Sequence, residues 1–109
     1  MSFTIEFFNA AVRADIDAWP AGIQASFVRI AEMMVEHGPN LGMPYTKAFG
    51  EGLFEIRARG AEGIGRAFYC ALVGRRIVIL HGFIKKSQET PARELDKARK
   101  RLKELQRGQ

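Results

Sequence analysis

Four cations in this sequence have the types and spacing to do chemistry: Arg57, Arg66, Lys85 and Lys86. They fall within one stretch, Leu53 to Ser87, that otherwise reads as β-strand. An arginine fork matches two phosphate oxygens at once, and a lysine supplies a mobile point charge. Both stabilise the negative charge that develops when a phosphodiester is cleaved. If the diester is RNA, the adjacent 2′-hydroxyl can be the nucleophile, so the reaction needs neither a metal nor a covalent enzyme intermediate. The competing reading is structural: cations on edge strands deter aggregation, or they pair with Glu55 and Glu62.

Strands hold such side chains more rigidly than loops do. Three are predicted in a row, Leu53–Arg59, Ile64–Leu72 and Arg76–Ile84. In the first, Glu55, Arg57 and Arg59 alternate with Phe54, Ile56 and Ala58, which puts the charged set on one face. In the second, Arg66, Phe68, Cys70 and Leu72 share a face opposite Ala67, Tyr69 and Ala71. The third is apolar almost throughout apart from His81, the pattern of a strand buried on both faces inside a sheet. Gly60-Ala-Glu-Gly63 and Val73-Gly-Arg75 supply the turns.

The flanking segments must cover that sheet. Phe3–Phe7 alternates as a short strand, and Asn9 is a good N-cap for a helix to about Ala18. Pro20 suits the first turn of a second helix, which runs to about His37 and is stopped by Gly38-Pro39. Met33 and Met34 on it read as core. Asn40–Gly52, with Gly42, Pro44, Gly50 and Gly52, reads as a loop, and Tyr45, Lys47 and Phe49 are its candidate surface contacts. A last, basic helix is predicted over 91–107, with Leu95, Ala98, Leu102 and Leu105 as a narrow apolar stripe; its cations read either as a solvated face or as a contact for another helix. The order β-α-α-β-β-β-α predicts one α+β domain over residues 1–109, with helices on one side of a mostly antiparallel sheet.

The net charge is +5 but unevenly spread. Residues 1–52 hold three basic and six acidic residues, a balance of −3; residues 53–109 hold fourteen and six, a balance of +8. A basic half favours polyanions. Cys70 is the one cysteine, which makes no internal disulfide and reads as core. No signal peptide is visible, and no apolar run approaches the roughly 20 residues of a membrane helix, so a cytoplasmic, non-membrane protein is expected. There is no phosphate-binding P-loop and no dinucleotide fingerprint. His37, His81 and Cys70 are too scattered to announce a metal site, and neither metal nor cofactor is expected.

Together, Leu53-Phe-Glu-Ile-Arg57, Gly65-Arg66 before Phe68-Tyr69, Leu80-His-Gly-Phe-Ile-Lys-Lys86, and Thr90-Pro-x-x-Glu94 before a basic helix resemble the RelE/ParE toxin superfamily, on its phage-derived HigB-like branch. The resemblance covers nearly the whole chain and implies the same fold. It implies the toxin of a type II toxin–antitoxin module, neutralised by a cognate antitoxin, usually of helix-turn-helix type. Operator DNA would then be met only through that antitoxin. RelE- and HigB-like members cleave mRNA at the ribosome, without metal, through the 2′-hydroxyl, and so inhibit translation. Carried over, Arg57, Arg66, Lys85 and Lys86 would hold the scissile phosphate; Arg59 and Lys47 are further candidate RNA contacts beside them. Glu55 stands where some RelE members carry a basic lysine, and the C-terminal Tyr or His of other members has no counterpart after Lys86. The general acid and base are therefore open, with Glu55, His81 and a lysine of lowered pKa as candidates; His81 reads more readily as a core histidine. ParE-like members share the fold but poison DNA gyrase, and a basic module that only binds a partner is a third reading. On this reading Arg66→Ala is expected to abolish growth inhibition without unfolding the protein.

Overall fold

The computed structural model describes residues 2–85 and 90–108. Strand β1 (Thr4–Phe7) leads into helices α1 (Ala10–Asp17) and α2 (Ala21–His37). Strands β2 (Thr46–Gly50), β3 (Leu53–Gly60), β4 (Gly63–Leu72) and β5 (Arg76–Lys85) follow, and helix α3 (Ala92–Arg107) comes last. The sheet order is β1-β5-β4-β3-β2, with the β1–β5 pair parallel and the rest antiparallel. The α+β class and the predicted elements hold. Asn9 caps α1 as expected, its carboxamide oxygen accepting from the Val12 N–H at 2.9 Å, and β5 lies inside the sheet.

Two expectations are corrected. The segment 40–52 is not all loop, because Thr46–Gly50 pairs antiparallel with β3 through Lys47↔Glu55 and Ala48↔Phe54. Its glycines and Pro44 hide a short strand whose stability comes from the edge of β3 and not from its own composition. Nor do the helices share one side. On one face of the sheet α1, α2 and Trp19 between them bury Val12, Ile16, the Trp19 ring, Ile23, Phe27, Ile30 and Met34 against Ile56, Ala58, Ala67, Tyr69, Ile77 and Ile79. On the other, α3 places Ala98 and Leu102 on Leu53, Phe68, Cys70, Val78 and Leu80, with Leu95 and Leu105 beside them. The reason is visible in β4 and β5: both are apolar on alternate residues in both directions, so each face needs a cover. Met34 is core, as read, and so is Cys70, whose thiol burial pushes up to about 11.

The helix layer on the α1–α2 side sits unusually close. A Cβ at Gly65 would lie 2.6 Å from the Trp19 ring, and one at Gly82 would lie 2.7 Å from Ile16. The Gly60–Gly65 run is thus a hairpin, with Gly60↔Gly63 paired, and also a seat for Trp19. The helix on the opposite face is held by polar anchors as well as its stripe. Leu80 is the unpaired residue of a bulge in the β4–β5 ladder, and its carbonyl accepts from Arg101 Nη1 at 2.7 Å. Arg99 Nη2 donates to the Phe49 carbonyl at 3.2 Å. Two of the cations of α3 are therefore fasteners.

The hairpin turn also supplies what α2 lacks. Pro20 offers no side-chain cap, and the Glu62 carboxylate accepts from the Gly22 N–H at 3.0 Å. Bonds from backbone N–H groups, that of Gly22 foremost, hold the Glu62 pKa below its ordinary value. A carboxylate at a helix N-terminus is favourable for the dipole as well. A depressed folded-state pKa contributes stability that is present above the unfolded pKa and lost as pH falls through the folded one. Glu62→Gln should therefore melt below the wild type at pH 7, with the gap closing as pH drops through the acid range. A gap independent of pH would exclude the charged cap as its cause.

Candidate nucleic-acid interface

Strand register assembles the predicted cations on one face, the side that α3 partly covers. Cross-strand partners form three successive rows: Lys47–Glu55–Phe68–His81, then Arg57–Arg66–Phe83, then Arg59–Ile64–Lys85. Phe68 and Phe83 belong to the α3-side core, which identifies the face. The period of two along each strand is what makes residues 55, 57 and 59 join 64, 66 and 68 and 81, 83 and 85 there. Lys86 lies outside the described residues.

The members of this set are not equivalent. Arg66 is 3% exposed and Glu55 fully buried, and Arg66 Nη1 donates to Glu55 Oε1 at 2.5 Å. The pair meets at one point and not as a fork, leaving Arg66 Nε and Glu55 Oε2 buried without a partner among the described residues. Arg66 is thus an arginine already neutralised beneath the surface. Arg57, its cross-strand neighbour, is half-buried. Its Nη1 touches the Met43 sulfur at 3.4 Å, and its Nε is likewise buried without a partner among the described residues. Burial first, and then the adjacent Arg66 charge, lower the Arg57 pKa. Buried polar atoms without a partner are uncommon in native interiors, and among the described residues three of them fall on the neighbouring Glu55, Arg57 and Arg66.

Lys85 is half-buried at the end of β5. Burial lowers its pKa, and the positive charges of Arg66 and Arg57 lower it further against the opposing pull of Glu55. Lys85 is thus a lysine whose pKa lies below its ordinary value. Lys47 and Arg59 are exposed at the rim, with the Lys47 ammonium 5.4 Å from the centroid of the Phe49 ring.

His81 does not join them at the surface. Its Nε2 lies 2.9 Å from Glu94 Oε1, both side chains are largely buried, and the imidazole stacks on Phe83. The pair ties the first turn of α3 to β5. Glu62, the other carboxylate expected as a partner for the cations, serves α2 instead. The structure adds Met43, Tyr45 and Glu94 to the set. The spacing Tyr45-x-Lys47-x-Phe49 was the visible trace of β2, but nothing in the sequence tied Glu94 to His81. Among the described residues no three His, Cys, Asp or Glu side chains are grouped so as to hold a metal ion, and no helix is long and apolar enough to cross a membrane.

A family model described as Phage derived protein Gp49-like (DUF891) matches residues 14–103, a span that contains every cation of this face. No curated protein matches the chain.

Proposed function

Because the chain belongs to the phage-derived Gp49-like family, which includes toxin-like proteins, we propose that it is the toxin of a type II toxin–antitoxin module, of the HigB-like branch of the RelE/ParE superfamily. Its activity is that of a cytoplasmic, ribosome-associated mRNA endoribonuclease that inhibits translation. The observation that carries this reading is the shared face on which Arg57, Arg66 and Lys85 lie in adjoining rows, with Lys47 and Arg59 at its rim.

Arg57 takes the non-bridging oxygens of the scissile phosphate. The buried Arg66–Glu55 ion pair, its charge balanced internally, fixes β3 to β4 beside Arg57. Neutral Lys85 accepts the proton of the ribose 2′-hydroxyl, whose oxygen attacks phosphorus. The P–O5′ bond breaks, leaving a 2′,3′-cyclic phosphate and a 5′-oxygen that takes a proton from water. His81 and Glu94 hold α3 in place and take no part in proton transfer. A helix-turn-helix antitoxin with an acidic or amphipathic segment would cover the basic half.

Induction of the protein followed by mapping of mRNA 5′ ends tests the reading. New 5′-hydroxyl ends inside coding sequences, absent on induction of Arg57→Ala, are expected. Growth arrest with a DNA-damage response and intact mRNA would point instead to gyrase. A second reading has support in the neutralised state of Arg66: a basic module that only binds its partner, which predicts no growth defect at all.

A further inference from the structure

The cation row continues by one residue onto the sheet edge. The Arg57 N–H donates to the Tyr45 carbonyl at 2.9 Å, which places Tyr45 beside Arg57 just ahead of the paired Thr46↔Ile56. Thr46 is fully buried and its partner Ile56 faces α2. Alternation then turns Tyr45 and Lys47 to the opposite, cationic face. From the turn before β2 across β3, β4 and β5 the row reads Tyr45–Arg57–Arg66–Phe83, two arginines bracketed by two aromatics. Phe83 is already stacked on Phe68 and His81. Tyr45 is 38% exposed and is free of any such aromatic partner among the described residues.

The turn before it is held firmly. Gly42 N–H donates to the Thr46 hydroxyl at 2.8 Å, and the Tyr45 and Thr46 N–H groups return to the Gly42 carbonyl at 3.1 and 3.0 Å. Met43, 61% exposed, holds the Arg57 guanidinium through its sulfur. An exposed ring on a well-held backbone, beside an arginine on a sheet face, is the arrangement that receives single-stranded RNA, with a base on the ring and a phosphate on the cation. A duplex could not use it, because its bases are already stacked. Strands lie about 4.8 Å apart, so ring and guanidinium are within one nucleotide of each other.

Resting on the reading of this face as an RNA site, we infer that Tyr45 is a nucleobase-stacking subsite that binds the base next to the phosphate held by Arg57, so that the protein takes its RNA single-stranded and unstacked. Arg57 supplies the charge contact and Tyr45 the base contact. Met43 fixes Arg57 and does not itself stack.

Fluorescence anisotropy with a labelled 2′-O-methyl octaadenylate, which lacks the attacking hydroxyl, tests this. The control is an abasic ribose-phosphate octamer. Tyr45→Ala should weaken binding of the octaadenylate about tenfold and of the abasic octamer less than about twofold, whereas Tyr45→Phe should bind both as the wild type does. Arg57→Ala should weaken both ligands. Equal losses on the two ligands for Tyr45→Ala, or none on either, overturn the stacking subsite while the Arg57 result keeps the RNA reading standing. If the wild-type protein binds neither oligomer, the RNA reading falls and the subsite with it. Unchanged circular dichroism of Tyr45→Ala confines any loss to the surface.

Discussion

Glu55→Ala should destabilise the protein by roughly 3–5 kcal/mol, the cost of leaving a buried charge without its counter-ion. Glu55 and Arg66 are both essentially inaccessible and meet at 2.5 Å. Removing the carboxylate leaves a guanidinium whose Nε already has no partner among the described residues, next to Arg57 and in the field of Lys85. That loss is a large share of the 5–15 kcal/mol that holds an ordinary domain folded. Arg66→Ala should cost a similar amount by orphaning Glu55, so the expectation that it would silence the protein without unfolding it does not suit this pair. The double replacement Glu55→Met with Arg66→Met should recover most of the stability, because an apolar pair of similar volume is often neutral or better than a buried ion pair. Urea unfolding of the three variants decides the matter. A Glu55→Ala loss below about 1 kcal/mol would mean that Arg66 finds another partner.

Lys85→Ala should slow cleavage by about 10²- to 10⁴-fold, the usual contribution of a positioned general base, with little loss of stability because Lys85 is only half-buried. The pH profile gives the sharper signature. A base acts in its neutral form, so the rate should rise with pH and level off above the pKa of Lys85. Burial and the neighbouring Arg66 and Arg57 lower that pKa, so the rise should come at lower pH than for an ordinary lysine. Arg57→Gln removes one of these positive charges. The Lys85 pKa should then move up, and the inflection should shift to higher pH even as the overall rate falls. Retention of the same inflection in Lys85→Ala would assign it to another group. Single-turnover cleavage of a short RNA across the neutral and alkaline range reads both effects.

Much of the frame was legible in the residues. Asn9, Pro20, Gly38 and Pro91 bound the helices where capping and steric rules put them, and Leu95, Ala98, Leu102 and Leu105 turn inward as their spacing requires. Alternation along β3 puts Glu55, Arg57 and Arg59 on one face whatever the fold. What escaped depended on distant partners. Thr46–Gly50 becomes a strand because β3 offers it an edge, and α3 takes the far face because Phe68, Cys70, Val78 and Leu80 need covering there.

For the cations the division is sharper. That Arg57, Arg66 and Lys85 sit in strands within a basic half follows from the residues alone, because side-chain period and charge are local properties. Their different states come from contacts between elements distant in the chain. The charge on Arg66 is spent on Glu55, which is eleven residues away along the chain but adjacent in the interior. His81 is held by Glu94 across the sheet face. Arg57 and Lys85 remain the half-buried cations whose pKa values burial and like charge depress. Burial and pairing depend on which strands and helices meet, and electrostatic energy depends on distance and dielectric, neither of which is written in the spacing of residues along a chain.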